Sequence, residues 1–228
     1  MNQCDKVTES CSTGVTDYQS VTPDVQNVQV ADDDNCVGDG VTISWDSVAD
    51  WGDHDLGGGS RHFDVYRYTD AACAGDSTHL TPSGLAAAST SYQDNPTDNT
   101  AVYYKLVATN RCGTTFETCL SAVTDWASSN PTGMTASAVD TDDCDGNGVT
   151  ISWTAPSWND NDLGTVTTRH FDIYRYTDSN CSADEVSVVS DRGAGETSYT
   201  LHNPPDNQVF YYKVVATNKC GDTQSACT

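Results

Sequence analysis

Gly40-Val41-Thr42-Ile43-Ser44-Trp45 alternates apolar with polar positions, and Gly148-Val149-Thr150-Ile151-Ser152-Trp153 copies it. A period of two puts Val, Ile and Trp on one face of a strand, so Trp45 and Trp153 are expected core anchors. His62-Phe63-Asp64-Val65-Tyr66-Arg67-Tyr68 alternates likewise and recurs as His170-Phe171-Asp172-Ile173-Tyr174-Arg175-Tyr176, with Phe63 and Val65 facing inward. A third strand is predicted at Val102-Tyr103-Tyr104-Lys105-Leu106-Val107-Ala108 and again from Phe210 to Ala216, each followed by Thr-Asn and a cysteine hairpin. Shorter strands are expected around Tyr92 and Tyr199. No segment carries a sustained helical period, so the chain reads as all-β, built from β-sandwiches.

The cysteines show that this pattern is a duplication. Cys4, Cys112 and Cys220 lie 108 residues apart, as do Cys11, Cys119 and Cys227, Cys36 and Cys144, and Cys73 and Cys181. A spacing kept by all ten cysteines marks one disulfide-bearing unit copied along the chain. No C-x-x-C or zinc-finger spacing occurs, so the thiols read as disulfides and the compartment as oxidising. A length of 228 residues suits two domains of about 100 residues each.

Acidic residues number 33 against 10 basic ones, a formal charge of −23. Such a field repels nucleic acid and anionic membranes and gathers cations. No stretch approaches the ~20 apolar residues of a membrane span. The opening MNQCDKVTES lacks the apolar core of a signal peptide, so export is expected to depend on sequence outside this chain.

In order and spacing these strands resemble the fibronectin type III domain twice over, across nearly the whole chain. G-V-T-I-S-W is similar to its B strand, F-D-V-Y-R to its C strand, T-S-Y to its E strand and Y-Y-K-L-V-A-T-N to its F strand. The Trp-Gly-Asp loop and the Cys-Gly after the F strand resemble repeats of large secreted bacterial proteins. Val102 and Phe210 stand where the F-strand corner tyrosine usually sits. The resemblance implies two immunoglobulin-like sandwiches, an extracellular or cell-surface place of bacterial kind, and no enzymatic role. It puts Cys36 and Cys73 at one pole, where they can pair, and lets Cys112 with Cys119, Cys220 with Cys227 and Cys4 with Cys11 clasp F–G hairpins.

Asn2-Gln3-Cys4 matches Asn110-Arg111-Cys112 and Asn218-Lys219-Cys220. Residues 1–20 therefore read as the F–G hairpin end, G strand and linker of another repeat, residues 21–128 as repeat 1, and residues 129–228 as repeat 2 lacking its own G strand. Two expectations follow. Either the chain is a piece of a longer array, or copies join head to tail, the segment around Ser12 to Ser20 supplying a neighbour's missing strand.

Trp51-Gly52-Asp53-His54-Asp55-Leu56-Gly57 recurs as Trp158-Asn159-Asp160-Asn161-Asp162-Leu163-Gly164 in the predicted B–C loop. Paired carboxylates beside a turn glycine make a partial calcium loop, which needs further oxygens to reach six to eight. A second acidic set, Asp32 and Asp34 with Asp39, recurs as Asp140 and Asp142 with Asn147, and Asp125 lies in the linker. In the resembled fold both sets meet at each junction, so calcium is expected to bridge it.

For catalysis there is only the repeated His62 beside Asp64, and His170 beside Asp172, which read as a cross-strand polar ladder. Trp51 and Trp158 are candidate binding residues for a surface glycan or protein target, the alternative being an adhesion or carbohydrate-binding module. The preferred reading is structural, a segment of an extracellular fibre or stalk whose partners are adjacent repeats or copies of itself.

Overall fold

The computed structural model describes residues 16–141 and 148–228, and every regular element among them is a strand. The first repeat holds β1 (Gln29–Asp32), β2 (Val41–Ser44), β3 (His62–Tyr68), β4 (Ser77–His79), β5 (Leu85–Ala86), β6 (Ser91–Asp94), β7 (Ala101–Thr109), β8 (Thr115–Cys119) and β9 (Val123–Thr124). The second holds β10 (Ala136–Asp140), β11 (Val149–Trp153), β12 (His170–Tyr176), β13 (Val186–Gly193), β14 (Ser198–Leu201), β15 (Tyr211–Thr217) and β16 (Thr223–Cys227). One sheet of each repeat runs β1-β2-β6 or β10-β11-β14, and the other runs β4-β3-β7-β8 or β13-β12-β15-β16. This order, seen twice, is that of tandem immunoglobulin-like sandwiches.

The described residues pack as two compact units, one running up to Gln29 and including Ser44–Tyr92 and Tyr103–Leu120, the other including Val30–Ile43, Gln93–Val102 and the described part of the chain from Ser121 on. In the first unit Trp45 and Trp51 both lie tilted against Phe63, at 4.9 and 5.2 Å between ring centroids. Phe63 and Val65 are fully buried, as their alternation requires. In the second unit Trp153 and Trp158 flank Phe171 at 5.2 and 5.3 Å, and Ile151, Ile173, Val214 and Ala216 close the core. Burying each of the Phe, Ile and Val side chains contributes about 1.5–3 kcal/mol.

The second repeat was expected to lack a G strand, yet β16 pairs along β15 from Thr217↔Thr223 to Lys213↔Cys227. The residues after Cys220, read as a disulfide hairpin, alternate instead as Thr223-Gln224-Ser225-Ala226-Cys227 and pair as a strand. The repeats differ at the start of the F strand. In the first, β9 covers it through Ala101↔Thr124 and Val102↔Val123. In the second, Val209 and Phe210 lie outside β15, and Val209 is 74% exposed.

The disulfides also differ from expectation. Cys73 pairs with Cys119 and Cys181 with Cys227, at Cα separations of 6.0 and 6.1 Å, each tying the loop after the C strand to the end of the G strand. Asp70 turns the first of these loops by accepting hydrogen bonds from the backbone N–H of Ala72, Ala74 and Gly75, and Asp178 does the same for Asn180, Ser182 and Ala183. Each turn sends its cysteine toward the G strand rather than toward the A–B loop. On the chain-entropy model each link contributes about 4 kcal/mol. Cys36 pairs with Cys220, 184 residues away, at 5.4 Å between Cα atoms. Cys36–Cys73, Cys112–Cys119 and Cys220–Cys227 are thus not the native pairs. Among the described residues Cys112 is free and exposed. Cys4, Cys11, Cys144 and Asp142 lie outside the described residues.

Candidate functional site

The turn that presents Cys220 is organised by Asn218, which is completely buried. Its Oδ1 accepts from the N–H groups of Cys220 and Asp222 at 3.0 and 2.9 Å. Its Nδ2 donates to the carbonyls of Ser129 and Trp158, both at 3.1 Å. One side chain thereby joins the F–G turn, the linker and the B–C loop. Asn110 repeats this arrangement, receiving from Cys112 and Thr114 and donating to Ser20, Val21 and Trp51. The Thr-Asn-x-Cys recurrence was visible in the sequence, but as a landmark rather than as a structural post.

In the W-x-D-x-D-L-G loops, where calcium was expected, the aspartates are paired with basic side chains. Asp160 is buried and accepts from Arg169 Nε at 2.9 Å, from a second Arg169 nitrogen, and from the N–H groups of Lys219 and Asp162 at 2.8 and 3.1 Å. Asp53 holds Arg61 and the N–H groups of Arg111 and Asp55 in the same way. The guanidinium beside each carboxyl holds it well below the usual carboxylate range. The outer aspartates are paired too, Asp55 with Arg61 at 2.6 Å and Asp162 with Lys219 at 2.7 Å.

The tryptophans of these loops are covered as well. Trp51 packs on Phe63 with Arg61 5.8 Å above its ring, and Trp158 is half-buried between Phe171 and Arg169. The loop glycine serves the cystine: a Cβ on Gly164 would come within 2.5 Å of Cys220 Sγ and 2.9 Å of Cys36 Sγ. Asp34 belongs to the same joint, since its Oδ1 accepts from the N–H of Cys36 at 2.8 Å and shapes the turn that delivers the thiol. Ser128 accompanies the joint, its N–H and hydroxyl both donating to the Cys36 carbonyl, at 3.0 and 3.1 Å.

Beside this joint lies a different acidic group. Asp125 is completely buried, and its Oδ1 accepts from the N–H of Gly40 at 3.3 Å. Gly40 has φ of 116°, and a Cβ there would lie 2.6 Å from the Asp94 carbonyl, so only glycine offers its N–H in this way. Asp32 answers reciprocally, its Oδ2 accepting from the N–H of Trp126 at 3.3 Å. Asp125 Oδ2 and Asp32 Oδ1 are buried with no hydrogen-bond partner. Burial raises the Asp32 carboxyl to about 6, with Asp125, Asp39 and Asp33 adding repulsion. Burial likewise pushes Asp125 up, helped by Asp98, Asp39 and Asp33. Asp140, the counterpart of Asp32, closes β10 and is exposed.

The histidines sit on the outer face as expected of a polar ladder. Asp64 lies between His62 at 3.4 Å and His79 at 3.0 Å, with His79 stacked on Tyr66. His170 lies beside Asp172 and Asp191 at 3.5 and 4.0 Å.

Three disulfides in small β-domains suit an oxidising, extracellular type of environment. No described helix is long and apolar enough to cross a membrane. No family model matches the chain, and no curated protein matches it. Among solved structures it is similar to the FN1–FN3 domains of chicken CNTN1, at 16% identity and a TM-score of 0.35. That similarity covers 92% of this chain, which spans 65% of the other.

Proposed function

We propose that this chain is a structural segment of an extracellular fibre or bacterial surface stalk in which successive repeats are locked to each other covalently. The observation that carries the reading is the Cys36–Cys220 cystine, which joins the A–B loop of one repeat to the F–G turn of the next. A flexible linker lets tandem domains separate under load. Here the linker is pinned as well, by Ser128 on Cys36 and by Asn99, whose N–H donates to the Asp125 carbonyl at 2.7 Å. Conserving shape under strain calls for such joints and for no active site.

Assembly between copies is part of the proposal. Val15-Thr16-Asp17-Tyr18 repeats Val123-Thr124-Asp125-Trp126, whose Val123 and Thr124 form the strand covering Ala101 and Val102. The segment of a second copy, laid along Val209 and Phe210, would make the matching pairs by β-strand addition. Sedimentation velocity and electron microscopy of the oxidised chain test this. End-to-end oligomers that grow with concentration and vanish in Val209→Pro are expected, because proline removes a backbone donor. A strictly monomeric wild type at every concentration would reject self-assembly.

A further inference from the structure

We propose that Asp32 and Asp125 form the centre of a divalent-cation site of the calcium class at the base of the linker, its coordination completed by water, with Asp33, Asp39 and Asp98 adding negative charge nearby. Asp125 is completely buried, one of its oxygens is held by Gly40, and the other has no partner. Asp32 has the same division, with Oδ2 held by Trp126 and Oδ1 bare and buried. Each carboxylate thus accepts a backbone N–H from the segment carrying the other.

A buried charge without a counter-charge costs several kcal/mol. Among the described residues no Lys, Arg or His forms an ion pair with any of these five aspartates. The B–C loops show the contrast: there the buried aspartate has an arginine, and here it has none. The surroundings keep oxygen in place. Gln93 Nε2 donates to Asp33 at 2.6 Å and to the Asp39 carbonyl at 3.4 Å, and the Asp98 carboxylate lies against Gly38, where a Cβ would meet it at 2.4 Å.

The donors are all carboxylate oxygen, with neither imidazole nor thiolate, which selects a hard cation. Calcium accepts irregular sets of oxygens completed by water, whereas magnesium demands a near-octahedral set. Asp32 lies in β1 and Asp125 in the linker just beyond β9, so an ion between them ties linker to sheet.

Thermal melting of the full chain, freed of metal by chelation and then titrated with calcium, tests the site. At calcium a hundredfold above its dissociation constant the midpoint should rise by about 5–10 °C. Asp125→Asn and Asp32→Asn, which preserve shape, should abolish that rise while keeping the far-ultraviolet β spectrum. Terbium luminescence excited through Trp126 should follow the same variants, and Trp126→Phe should lose the luminescence but keep the calcium shift. A shift reproduced by sodium chloride at matched ionic strength, or unchanged in Asp125→Asn, would overturn the site. So would no calcium shift together with a stabilising Asp125→Asn, the signature of two carboxyls sharing a proton.

Discussion

Arg169 shows how one side chain decides the meaning of an acidic loop. It neutralises Asp160 in a buried place and lies over Trp158, so removing it leaves a carboxylate held by backbone N–H groups alone. Arg169→Ala is expected to cost about 3 kcal/mol, the low end for breaking a buried pair, because the arginine is partly exposed. Denaturant unfolding measures the loss; a change within 0.5 kcal/mol, the size of an ordinary surface substitution, would contradict it. The same pair sets an acid limit. Asp53 and Asp160 titrate lower when folded than when unfolded, so their stabilisation is complete above the ordinary carboxylate range near pH 4 and is lost as pH falls through the lowered folded values. The Arg169→Ala variant should therefore show a shallower loss of stability below pH 4 than the wild type. The sequence suggested calcium here because W-x-D-x-D-L-G is local, whereas the neutralising arginine comes just ahead of the next strand. Its sign was present in Arg61-His62 and Arg169-His170, repeated like the loop itself.

At the level of elements, alternation located the strands well. The two central motifs fall at β2 and β11, the next pair at β3 and β12, and the F strands at β7 and β15. The short strands around Tyr92 and Tyr199 are β6 and β14. Cysteine pairing was not legible, since spacing reports the period of a repeat and not which pole of which repeat a thiol faces. The turns capped by Asp70 and Asp178, and the clearance at Gly164, make that choice. Gly164→Ala places a methyl group where the two sulfurs lie, so it should leave Cys36 and Cys220 reactive to maleimide under conditions in which the wild-type pair is protected. Cys73–Cys119 and Cys181–Cys227 should remain closed. Full protection of Cys36 in this variant would remove the steric account.

The whole molecule carries a charge of −23, and its loops concentrate carboxylates where repeats are joined. Cross-linking offsets part of the repulsion that would otherwise favour an extended, separated chain. In the proposed fibre a cystine between repeats bears the load. Pulling single molecules from Met1 and Thr228 tests it directly, because Cys36–Cys220 shields the 184-residue span between them from extension. The oxidised chain should yield only its short ends, and added reductant should release about 60 nm of further contour length. Release of that length without reductant would show that the repeats are not covalently locked.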